Sequence, residues 1–171
     1  MTRWSLVTVL ALSLLGAGCG GSTPAPTPVV PAATVTAIGE GALVIHPSAD
    51  GRFSAALETP VRVRETTGGS ATWNFARMSL LSGTKEIERA EIGQDTIAAA
   101  GYGTVAANSN ALVTLYFHFN TSDFTNVTIT FGMTDKKDSR ALNVDVPFTS
   151  FTAVNISLVP KRWTPNSVTA R

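Results

Sequence analysis

The chain has 171 residues and carries 13 Lys and Arg against 12 Asp and Glu, a formal charge of +1. That balance argues against an electrostatic nucleic-acid binder, which needs a basic excess on one face. The single cysteine rules out a disulfide within the chain, so the body must be held together by its own core.

At the N-terminus, Arg3 supplies a positive start and Leu6 to Leu15 an apolar run of ten residues. Crossing a bilayer as a helix takes roughly 20. Gly16, Ala17 and Gly18 then lead to Cys19. A charged start, a short apolar stretch and small residues at its end describe a secretory signal. Residues 1–22 resemble the bacterial lipoprotein signal peptide with its lipobox. Where that family favours leucine three positions before the cysteine, this chain has Gly16, with Leu15 one place further out. The resemblance implies that residues 1–18 are removed, that the Cys19 thiol carries a diacylglyceryl group, and that the new N-terminus is acylated, palmitate being a typical chain. One acyl chain binds a membrane only marginally, at about 0.8 kcal/mol per buried methylene, whereas two or three hold firmly. Gly20 stands where an inner-membrane-retained lipoprotein has aspartate. The implied location is the outer membrane of a two-membrane host, or otherwise the outer face of the plasma membrane.

Residues 19–34 form the next unit. Pro24, Pro26, Pro28 and Pro31 recur among Ser, Thr and Ala. Repeated proline favours an extended, semi-rigid chain without a core, on the order of 40 Å long for this segment. It reads as a disordered linker or stalk.

From about residue 42 the hydrophobic period becomes two, the mark of β-strands. Val61 and Val63 alternate with Arg62 and Arg64. Trp73 and Phe75 begin a strand whose phase shifts before Met78 and Leu80, as at a bulge. Lys85 to Ile92 is densely charged and reads as an exposed edge strand, where charge blocks edge-to-edge pairing. Ala111, Val113, Leu115, Phe117 and Phe119 share one face, and Thr114, Tyr116 and His118 the other, solvent-side face. Val127, Ile129, Phe131 and Met133 repeat the pattern, as do Leu142, Val144, Val146 and Phe148. Asn120 to Asp123 and Asp135 to Ser139 are polar turns between them. Pro147 lacks an N–H and points to an edge position or a bulge. A last run aligns Val154, Ile156 and Leu158, and the phase slip after Phe148 fits a chain crossing to a second sheet. Together these predict an all-β fold: an antiparallel, immunoglobulin-like β-sandwich of about 7–9 strands over residues 35–160, with a polar tail at 161–171.

Motifs that carry chemistry are sparse. Gly101 to Ala106 fits a relaxed dinucleotide fingerprint, but the strand before it and the helix after it that such a motif requires are missing. His46 and His118 are the only histidines and have no paired-ligand spacing, so no metal site is assigned. Asp135 and Asp138 flank Lys136 and Lys137, whose charge opposes calcium, and the segment reads as a solvated hairpin tip. No Gly-x-Ser-x-Gly elbow is present. Tyr116 and His118 are the one candidate ligand-binding pair, and Lys161 to Pro165 a candidate contact segment. The expectation is a non-enzymatic envelope lipoprotein without cofactor, held to the membrane by lipid, serving binding, adhesion or structure. The alternatives are an accessory subunit of an envelope secretion or assembly complex, with a protein partner, and a small-ligand or glycan binder.

Overall fold

The computed structural model describes residues 27–40, 43–47, 55–121, 123–148, 151–153 and 167–170. Cys19, the signal segment, Val154 to Leu158 and Lys161 to Pro165 lie outside the described residues. The elements, in order, are β1 (Val35–Gly39), β2 (Leu43–Pro47), β3 (Ala55–Glu65), β4 (Ala71–Ser82), β5 (Lys85–Gly93), α1 (Gln94–Ala99), β6 (Thr104–Val105), β7 (Asn110–Phe119), β8 (Asn126–Asp135), β9 (Ala141–Phe148), β10 (Phe151–Ala153) and β11 (Ser167–Ala170).

Two sheets face each other. The first runs β10-β2-β3-β7-β11, with β1 also on β3; the second runs β5-β4-β8-β9, with β6 on β4. Every strand pair is antiparallel except β10 on β2. The side chains between the sheets are the predicted ones. Val113, Leu115, Phe117 and Phe119 from β7 meet Val127, Ile129, Phe131 and Met133 from β8, all buried. Trp73 lies 5.3 Å from Phe131, centroid to centroid, and donates its indole N–H to the Phe75 carbonyl at 2.9 Å. A buried indole thus finds the partner it needs.

β1 and β2 are two halves of one run along β3. The ladder stops at Gly39↔Val61 and resumes at Val44↔Glu58. The break falls opposite Thr59 and Pro60. Proline has no N–H for a ladder, and the Pro60 carbonyl accepts from the Glu40 N–H at 2.8 Å. β9 and β10 mirror this run: β9 is an edge of the second sheet, and β10 joins the first sheet beside β2. Among the described residues, counting each broken run once, the eleven strand segments make nine runs, within the expected number.

The bulge in β4 is real. Trp73 pairs with Met133 but Phe75 with Gly132, so Asn74 is the extra residue. It turns Phe75 outward onto Gly132, and the Arg77 guanidinium stacks 4.6 Å above the Phe75 ring. β5 is an edge strand, as its charge predicts, and β9, which carries Pro147, is the opposite edge. One boundary moves: Ser167–Ala170, read as tail, forms β11 antiparallel to β7. Four residues of mixed Ser, Val, Thr and Ala show no clear period, and only an open edge on β7 makes them a strand.

Candidate functional site

β7 places the two residues singled out as a ligand-binding pair. Its odd-numbered positions turn into the sandwich, so Tyr116 and His118 turn to the other face of the first sheet. In register, Tyr116 stands opposite Glu58, and His118 opposite Ala56. Across Ala56 from His118, the ladder of β2 places His46. The register therefore sets His118, Glu58 and Tyr116 on one face around the small Ala56, with the His46 backbone pairing Ala56 from the other side. Glu58 is far in sequence from Tyr116 and His118, so spacing alone gave no signal of the grouping.

The solvent-side reading of this face needs correction. Tyr116 is half-buried, but Thr114 and His118 are each only 2% exposed. Their row neighbours Pro60 and Ala56 are buried too. β7 is an inner strand, flanked by β3 and β11. Period two reports which side of a strand faces the sandwich interior, not whether its other side is wet.

A second correction concerns Asp135. It ends β8, as expected at a turn, but it is 1% exposed. Its Oδ2 accepts the Ala33 N–H at 2.8 Å and its Oδ1 the Lys137 N–H at 2.8 Å. The Lys137 N–H lowers the Asp135 pKa most, and the Ala33 N–H and the Arg140 charge add to this against the opposing effect of burial. The lysines that oppose calcium are exposed, with Asp138, on the tip itself.

Sequence reasoning missed Glu65. It ends β3, is 1% exposed, and faces a set of donors. Oε1 accepts from the Thr67 N–H at 2.9 Å, the Thr34 N–H at 3.3 Å and the Thr67 hydroxyl. Oε2 accepts from the N–H groups of Asn108 at 2.9 Å and Gly68 at 3.1 Å. Burial pushes its pKa up, but the hydrogen bonds from Thr67, Asn108 and Thr34 outweigh it and hold the carboxyl down at about 2. The donors come from three loops, and no local motif announces such a convergence.

Two concavities lie along one seam. β1 and β9 run side by side in the same direction, one in each sheet, and between them are two shallow grooves of about 350 and 340 Å³. Ala37, Ile38, Val146 and Pro147 line the first, with Asp145 its ionisable residue. Leu142 and Val144 line the second, with Arg140. Gly39 sits so close to Phe148 that an added Cβ would meet the ring at 2.4 Å. Gly101 follows α1 and leads to β6, so that segment has its helix before its strand, the reverse of a dinucleotide turn. Among the described residues, no three His, Cys, Asp or Glu side chains are grouped to hold a metal ion, and no helix is long and apolar enough to cross a membrane.

No protein-family model and no curated protein matches the chain. Among solved structures, it is similar to one described as the X-ray structure of Northeast Structural Genomics Consortium target SoR45. The two share 12% identity over 77% of this chain and 92% of the other, with a TM-score of 0.42.

Proposed function

We propose that this is a bacterial envelope lipoprotein, tethered through lipid on Cys19, whose β-sandwich serves as a non-enzymatic binding, adhesion or structural module. The observation that carries the reading is the lone cysteine at the end of a short apolar run, followed by a proline-rich stalk. What supports it is that the described core residues begin at Ala33, fourteen positions beyond Cys19. Cys19→Ser is expected to move the protein from the membrane fraction to the soluble fraction while leaving its β-type circular dichroism unchanged. Retention of the variant in membranes would overturn the tether.

A second reading, capture of a small ligand or glycan, is favoured by one juxtaposition. Tyr116 and Glu58 are half-buried side by side on the face that His118 shares. Tyr116→Ala should then abolish binding in a glycan and metabolite screen without lowering thermal stability by more than a surface substitution does.

A further inference from the structure

The last residues of the stalk are built into the domain before the first strand begins. Every backbone polar group from the Ala32 carbonyl to the Thr34 N–H is engaged. The Thr67 Oγ1 lies 2.8 Å from the Ala32 carbonyl, which shares the single hydroxyl proton with Glu65. The Ala33 N–H donates to Asp135 at 2.8 Å, and the Ala33 carbonyl accepts from Arg140 at 3.2 Å. The Thr34 N–H is shared between Glu65 at 3.3 Å and the Thr67 hydroxyl at 3.2 Å. Ala33 is fully buried in the core cluster, and Gly69 presses on it so closely that a Cβ there would lie 2.5 Å from the Ala33 N and Cα.

The partners divide between the sheets. Glu65 and Thr67 belong to the end of β3 and its loop, in the first sheet; Asp135 and Arg140 flank the β8–β9 turn, in the second. Among the described residues, β1 pairs with β3 and with no other strand. A pull on its N-terminal end would otherwise load the Val35↔Glu65 pair first and open the ladder one bond at a time. Charge-assisted bonds are roughly twice as strong as neutral ones, and here they stand ahead of that ladder. We infer that residues 32–34 are a mechanical lock, through which load on the stalk enters both sheets at once. The source of that load rests on the lipid-tether reading above.

The test is single-molecule force spectroscopy on the mature chain from Cys19, which contains every described residue. In the tether geometry, the handles are Cys19 and a Thr84→Cys thiol in the turn at the far end of the sandwich. In the control geometry, Cys19→Ser removes the first handle and Ala99→Cys at the end of α1 replaces it. Asp135→Asn and Arg140→Met should each shorten the lifetime under load about tenfold in the tether geometry, and change it less than about twofold in the control. Equal shortening in both geometries, or none in either, overturns the lock. Arg140 is exposed, so Arg140→Met decides the matter if Asp135→Asn fails to fold. Mass spectrometry of envelope-purified protein separates the two claims: an unmodified Cys19 overturns the tether and the membrane as source of the load, whatever the force data show.

Discussion

Thr59 points into the sandwich, opposite Leu115, and is fully buried. Its Oγ1 has no hydrogen-bond partner among the described residues. A buried hydroxyl without a partner costs free energy that a methyl of the same shape does not. Thr59→Val should therefore stabilise the domain by about 1 kcal/mol, read as a higher urea midpoint with an unchanged slope. Glu65 is the opposite case, a buried carboxylate with all its donors in place. Its pKa falls from the ordinary 4.5 to about 2 on folding. A lowered pKa contributes stability that is complete above the unfolded value and lost as pH falls through the folded one. The contribution is thus full above about pH 4.5 and is lost towards about pH 2. Glu65→Gln should lower the melting temperature at pH 7 and flatten its decline between those two values, measured as melting temperature against pH. A variant whose acid decline matches the parent would show that Glu65 is not part of the acid response.

At the scale of elements, two glycines decide how strands and loops approach each other. A Cβ on Gly132 would meet the Phe75 ring at 2.0 Å, and one on Gly69 would meet Ala33 backbone at 2.5 Å. A ring can swing away, at the expense of its stacking with Arg77; a backbone segment pinned by four groups cannot. Gly69→Ala should cost about 2–3 kcal/mol and Gly132→Ala about 1 kcal/mol, in the range for overpacking. A double-mutant cycle checks the second cause: Phe75→Ala should remove most of the Gly132→Ala penalty, since the two residues are in contact. Most of these elements were legible beforehand. β7, β8 and β9 bury the predicted faces, because alternate apolar residues have only one way to enter a sandwich. The charge on β5 announced an edge. β1 and β11 were not legible, because short strands without regular period are made by the neighbour they pair with.

At the scale of the whole molecule, the arrangement is a two-sheet sandwich whose second sheet ends at β5 and β9 and whose first sheet ends at β10 and β11, with β1 alongside β3. Crosslinking of the intact protein in membranes, with Cys19→Ser as control, separates the two proposed roles: one or two stoichiometric partners lost in the variant would make it a complex subunit. Recovery of none would move weight to ligand capture on the Tyr116 face. The sequence by itself determined the fold class, the alternating faces of the central strands and the β4 bulge, because period and charge are local properties. Only the tertiary structure decided that His118 is buried, that Glu58, Tyr116 and His118 share a face, and that Asp135 and Glu65 hold Ala33 and Thr34. Those outcomes depend on which strands become neighbours, and residues brought together across 102 positions, as Ala33 and Asp135 are, leave no mark in the local pattern of either.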